Sequence, residues 1–177
     1  MLFRPLNFEG VYLIELDEIN DDRGFFARYF CQNEFKSNNL NYRWVQMNNT
    51  MTINKGSIRG LHFQKKPFEE VKLIRCIKGA IFDVIIDLRK DKKTYGKWLG
   101  VELNEFNRHM LYIPKGFAHG FQTLQDNTEL LYMHSNFYNK ESESGINYND
   151  FDININWPLP ISNISSKDKN LLSLKEI

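Results

Sequence analysis

The chain has 177 residues, and its 23 Lys and Arg nearly cancel its 22 Asp and Glu. That length supports one domain with a sizeable core, and the charge balance argues against nucleic acid as the main partner. No apolar run is long enough to span a membrane and the opening MLFRPLNFEG has no secretory pattern, so Cys31 and Cys76 read as reduced thiols of a cytoplasmic protein.

In chain order, DDRGFFARYF (21–30) reads as a turn and an edge strand, and NEFKSNNL (33–40) as a short helix. From Trp44 onward, β-rich runs recur: WVQMNNTM, SIRGLHFQ, VKLIRCI, AIFDVIIDL, WLGVEL, MLYIP, FAHGFQTL and TELLYMHS. Turn signals such as Lys78-Gly79, RKDKKTYGK (89–97) and PKG (114–116) separate them. The pattern predicts an all-β sandwich or small barrel, with a second short helix in SSKDKNLLSL near the C-terminus. No repeat, linker or composition break divides residues 1–177.

Strand alternation then assigns faces. Lys72, Ile74 and Cys76 share one face of VKLIRCI, while Val71, Leu73, Arg75 and Ile77 share the other. Thr128, Leu130, Tyr132 and His134 lie together. A lysine, a tyrosine and His62 could thus meet at one barrel mouth, a usual place for a ligand. Taken singly, each has a plainer explanation. His62 and His119 could be core histidines with one hydrogen bond each, Lys72 a snorkelling surface lysine, and Tyr132 a core aromatic. Ser165 three residues before Asp168 resembles a capping box, so the aspartate could serve only a helix end.

No pair among His62, His109, His119 and His134 stands at H-x-H or H-x-x-x-H spacing, and CxxC, GxGxxG and P-loop patterns are absent. The expectation is no metal and no dinucleotide cofactor.

Read in order, DDRGFF, VQMNNT, GSIRGLHFQ, VKLIRCIKGAIFDVIIDLRK, YGKWLGVEL, YIPKGFAHGF, LLYMHSNFY, INYNDFDININWP and SSKD resemble the dTDP-4-dehydrorhamnose 3,5-epimerase family, from about residue 10 to residue 168. The resemblance implies a cupin-type jelly roll, a homodimer, a nucleotide-sugar substrate, no cofactor, and inversion of C3 and C5 of a dTDP-4-keto-6-deoxyhexose. It assigns His62 as general base, Asp168 as the carboxylate that orients it, Tyr132 as proton donor, and Lys72 as the cation near the ketone oxygen. It assigns Arg59 and His119 to the diphosphate, with Lys167 as a further candidate. Gln46, Asn48 and Tyr138 match ligand-contacting positions, and Arg23 and Phe26 match nucleotide contacts lent by a neighbouring subunit.

The residue types suit the chemistry. A proton α to a ketone leaves only if the enolate oxygen is stabilised, which a cation in a dry pocket supplies. Inversion needs a base on one face of the ring and a separate acid on the other. Two departures stand out. Arg28 replaces a glutamate common in the family, and KKPFEEVK (65–72) is more charged than the usual approach to the lysine. The rivals are a mono-epimerase or 3,4-ketoisomerase, a metal-dependent cupin oxygenase, and a non-catalytic sugar-nucleotide binding module. One geometric difficulty remains in SIRGLHFQ, where simple alternation puts Arg59 and His62 on opposite faces unless Gly60 allows a twist or bulge.

Overall fold

The computed structural model describes all 177 residues. Its strands, in chain order, are β1 (Leu2–Pro5), β2 (Tyr12–Glu15), β3 (Glu18–Asp21), β4 (Gly24–Ala27), β5 (Gln46–Thr52), β6 (Ser57–Gln64) and β7 (Lys72–Lys78). They continue as β8 (Ala80–Asp87), β9 (Trp98–Asn104), β10 (Met110–Ile113), β11 (Phe117–Thr123), β12 (Thr128–His134), β13 (Glu143–Gly145) and β14 (Asn163–Ile164). Helix α1 (Gln32–Ser37) follows the β3–β4 hairpin, and the single-turn helix α2 (Ser166–Lys169) follows β14.

Two sheets face each other. One has the order β1-β2-β10-β7-β12-β5 and the other β13-β6-β11-β8-β9, with β14 pairing parallel to β6. Every other pairing between these strands is antiparallel, and the whole is a cupin-type jelly roll. The third sheet is the β3–β4 hairpin, which pairs with no other strand.

The alternation drawn from the sequence holds on β7 and β12. Ile74, Cys76 and Leu130 point between the sheets and pack on Ile81, Ile85, Phe117 and Phe121 from the opposite wall. Each fully buried Ile or Leu there stabilises the fold by roughly 1.5–3 kcal/mol. Leu73 takes the other face of β7 and packs with Phe35 of α1, Met110 and Tyr112. Behind the second sheet, Leu61, Val84 and Ile86 are covered by Ile146 and Ile153.

Most strand spans read from sequence agree to within a few residues, but β1, β2, β13 and β14 were not foreseen. The helices are shorter than expected, and residues 174–176 form a separate 3₁₀ turn. Short strands of two to four residues carry too few alternations to be recognised alone, and pairing partners make them strands.

The alternation fails on β6. His62 is the partner of His119 on β11, yet Arg59 is the partner of Phe121, so three steps on β6 match two on β11. This β-bulge is centred on Gly60, whose φ is +119°. A Cβ at Gly60 would lie 2.5 Å from Gly120 Cα, so two glycine backbones touch there. Strict alternation had placed Arg59 and His62 on opposite faces; the bulge turns both to the same cavity.

Candidate active site

The cavity opens between β5, the edge of the first sheet, and β6 of the second. It holds about 550 Å³, and Arg59, His62, Lys72, His119, Tyr132 and Asp168 are among its lining residues, with Asn48 and Lys167 beside them. Eight of the twelve residues assigned from sequence therefore line one cavity.

His62 comes from the bulged strand and Asp168 from α2, which β14 delivers to the edge of β6. His62 Nε2 donates to Asp168 Oδ1 at 2.8 Å, and the Gly60 N–H donates to Asp168 Oδ2 at 3.1 Å. Ser165 caps α2 by accepting from the Asp168 N–H at 3.0 Å. The capping motif is thus real, but the aspartate's own carboxylate reaches the histidine. Burial works against its ionisation; the bonds and charge from His62 together with the Gly60 N–H outweigh burial and hold it below the usual carboxylate range. With Nε2 committed as donor, Nδ1 is the His62 nitrogen that can take a proton.

Tyr132 stands on β12, in the facing sheet. Burial first, and then the nearby Asp83 carboxylate, push its phenol pKa up, so it stays protonated. Lys72 on β7 is 8 % exposed. Its Nζ donates to the His62 carbonyl at 3.3 Å and lies 3.3 Å from Glu70 Oε1. His119 is buried, with Nε2 2.5 Å from Asp83 Oδ1 and its ring 6.3 Å from that of Tyr132. Arg59 runs along β5, donating from Nε to Thr52 Oγ1 at 2.9 Å. Arg59, Lys72 and Lys167 make the cavity suited to an anionic ligand.

Gln46 and Tyr138 do not line the cavity; hydrogen bonds connect them to Asn48, which does. Gln46 Nε2 donates to Asn48 Oδ1 at 3.3 Å, and the Tyr138 N–H donates to Gln46 Oε1 at 3.2 Å. Tyr138 Oη also donates to Glu143 Oε2, whose other oxygen accepts from Lys167 at 2.5 Å. Arg23 and Phe26 lie outside the cavity of their own chain. Arg23 bonds its neighbour Asp21, and Phe26 is 66 % exposed on the hairpin. Arg28 turns to α1 and pairs with Glu34 at 3.3 Å.

The sequence reading missed Asp83, Glu70 and Glu143 as partners of site residues. Asp83 had a usable signal, since it shares the inward face of β8 with Ile81 and Ile85, where a lone carboxylate needs a partner. Glu143 had none. No three His, Cys, Asp or Glu side chains converge in a way that could hold a metal ion. Each of His62, His119 and His134 instead gives one ring nitrogen to a carboxylate.

A jelly roll with an oriented imidazole on one sheet, a protonated phenol on the other and a lysine nearby defines an isomerase that works by moving protons. The family model for dTDP-4-dehydrorhamnose 3,5-epimerase matches residues 5–176, and the chain belongs to that family. It is 44 % identical to the dTDP-4-dehydrorhamnose 3,5-epimerase of Methanothermobacter thermautotrophicus, covering 98 % of this chain and 95 % of that one. A Legionella pneumophila 3,5-epimerase solved with dTDP-4-keto-L-rhamnose superposes with a TM-score of 0.94 at 34 % identity, covering 99 % of this chain and 94 % of that one. The chain is also 34 % identical to a Streptomyces niveus dTDP-4-dehydrorhamnose 3-epimerase, covering 99 % of this chain and 85 % of that one.

Proposed function

We propose that the protein inverts C3 and C5 of a dTDP-4-keto-6-deoxyhexose on the way to a dTDP-L-rhamnose-like sugar. One observation carries this: His62 and Tyr132 stand on the two facing sheets of a single cavity, with Lys72 beside them. His62, oriented by Asp168, takes the proton α to the C4 ketone. The electrons move to the ketone oxygen, which the Lys72 ammonium stabilises. Tyr132 then delivers a proton to the opposite face of the same carbon, and solvent restores both groups. Arg59 and His119, the latter fixed by Asp83, hold the diphosphate, with Lys167 as a further contact.

The nucleotide contacts are completed by a second copy. Ile19, Phe25 and Phe26 expose apolar surface on a hairpin that pairs with no strand of its own chain, which supports a homodimer in which Arg23 and Phe26 reach the neighbouring cavity. The two free cysteines and the nucleotide-sugar substrate suit the cytoplasm, and no helix is long and apolar enough to cross a membrane.

The likeness to a 3-epimerase favours a second reading, inversion at C3 alone. Mass spectrometry of dTDP-4-keto-6-deoxyglucose after incubation with the protein in D₂O separates the two. Two non-exchanging deuteriums mean both carbons are inverted, and one means a mono-epimerase. None, with folded protein, overturns the assignment.

A further inference from the structure

Glu70, two residues before Lys72, places one carboxylate between two side chains of the cavity. Its Oε1 is 3.3 Å from Lys72 Nζ, and its Oε2 accepts from His134 Nδ1 at 2.9 Å. Strand register creates this meeting, because His134 on β12 is the direct partner of Lys72 on β7. The Glu70 side chain is nearly buried. Burial raises its pKa, but the His134 bond and the Lys72 and His134 charges outweigh it, so the group is held below the usual carboxylate range and is ionised at neutral pH.

Two consequences follow from donor and acceptor counting. The Lys72 ammonium has three protons. One donates to the His62 carbonyl at 3.3 Å, and the Glu70 carboxylate, 3.3 Å from Nζ, draws the ammonium to its side, which restricts the directions left to the other protons. A carboxylate only accepts, so Nδ1 of His134 carries a proton, and in the neutral ring Nε2 keeps its lone pair. That lone pair accepts from Asn48 Nδ2 at 3.4 Å, and the His134 ring lies 6.2 Å from that of Tyr132 on the same cavity wall.

We propose that Glu70 is a positioning residue that aims the Lys72 ammonium at the substrate's ketone oxygen and, through His134, fixes the Asn48 amide on the cavity wall. Neither residue has a role in the function given above, and the proposal rests on that function. Without Glu70, Lys72 keeps only the His62 carbonyl, and an ammonium on four rotatable bonds then samples directions that do not face the ketone. The loss falls on the step in which charge builds on oxygen, because that is where the alignment of the cation matters most. His134 gains its direction from the same anchor, as an imidazole does when its second nitrogen is tied to a carboxylate.

The test is a double-mutant cycle read by deuterium uptake from D₂O, long incubations giving the slow variants. Glu70→Gln keeps the shape and removes the charge. It should lower kcat about 10- to 100-fold with KM changed less than about threefold, yet cost less than about twofold in a Lys72→Met background. Equal losses in both backgrounds, or no loss in either, overturn the proposal. If Glu70→Gln does not fold, Glu70→Asp, which keeps the charge but withdraws it from Lys72, enters the same cycle with the same expectation. Nitrogen NMR of the wild-type protein provides a readout independent of turnover. A neutral His134 ring protonated at Nδ1 supports the anchor, and a ring protonated at Nε2, neutral or cationic, overturns it. Wild-type protein that takes up no deuterium would overturn the epimerase function itself, while the nitrogen signals would still decide whether Glu70 orients His134.

Discussion

His62 and His119 are register partners on β6 and β11, and each gives a ring nitrogen to its own carboxylate, Asp168 and Asp83. The pairs differ in access. The His62 side chain is 33 % exposed and that of His119 only 6 %. A base must meet the carbon acid and return its proton to solvent, which His62 can do. His119, walled in beside Tyr132, is placed to hold rather than to exchange.

Asp168→Asn should therefore cripple proton abstraction without emptying the cavity. An asparagine amide donates where the carboxylate accepted, which drives the His62 proton onto Nδ1, the nitrogen proposed as base. The expected loss in deuterium uptake is about 10²- to 10⁴-fold. Calorimetric binding of dTDP should change less than about threefold. Uptake at the wild-type rate would remove Asp168 from the mechanism.

Tyr132→Phe separates two events that other variants lose together. The proton can still leave to His62 and return on the same face, so exchange continues while inversion fails. We expect epimerised product, followed by NMR, to fall at least about tenfold further than deuterium incorporation. A matched fall in both would show that the phenol is not the donor.

The places of these residues were visible in the sequence to different depths. Lys72 could be grouped with Ile74 and Cys76, and Tyr132 with His134, because period-two alternation survives on β7 and β12, but which face looks inward needs the fold. Asp168 could be seen only as a helix cap or as a family match, since nothing local says that α2 lies against β6. Arg59 and His62 could not be placed on one wall, because a bulge is set by the contact of Gly60 with Gly120, sixty residues away in the chain. Glu70 was noticed only within an unusually charged approach; its meeting with His134 depends on register between β7 and β12.

Gly60→Ala tests that bulge. A methyl group there would stand 2.5 Å from Gly120 Cα and 2.8 Å from the His119 carbonyl, at a φ of +119°. Gly24, with φ +130°, has nothing within 4 Å of such a methyl and serves as the control. Backbone strain alone costs about 1–3 kcal/mol at either position. Gly60→Ala should exceed Gly24→Ala in urea unfolding and lose activity as well, because the shift moves His62 and Arg59 apart. Equal destabilisation of the two variants would mean that the close approach is not what demands glycine.

The proposed exchange of Arg23 between subunits can be checked by complementation. Arg23→Ala and His62→Ala proteins should each be weak or inactive alone. Unfolded together and refolded as an equal mixture, half the dimers pair the two defects so that one of their two cavities has both an intact His62 and a partner's Arg23. Activity should then rise to about a quarter of wild type, as two-fold symmetry dictates. No recovery, with hybrids shown to form by mass spectrometry, would confine Arg23 to its own chain.

Acid stability should be traceable to Asp87, which anchors the turn after β8. Its fully buried carboxylate accepts from Arg89 Nε at 2.8 Å, from Arg89 Nη2 at 2.7 Å and from Thr94 Oγ1 at 2.6 Å. Burial opposes its charge, but the Arg89 and Thr94 bonds outweigh burial and depress its pKa. The unfolded chain, with a carboxyl near its ordinary value of about 3.9, therefore binds the proton more readily than the folded one. The stabilisation is complete above that value and is lost as pH falls through the depressed folded pKa. Asp87→Asn should cost about 1–3 kcal/mol at pH 7. Urea unfolding of wild type and variant from pH 7 downward should show the two curves converging in acid. A gap that stays constant over the whole range would show that the interaction does not depend on the carboxylate's charge.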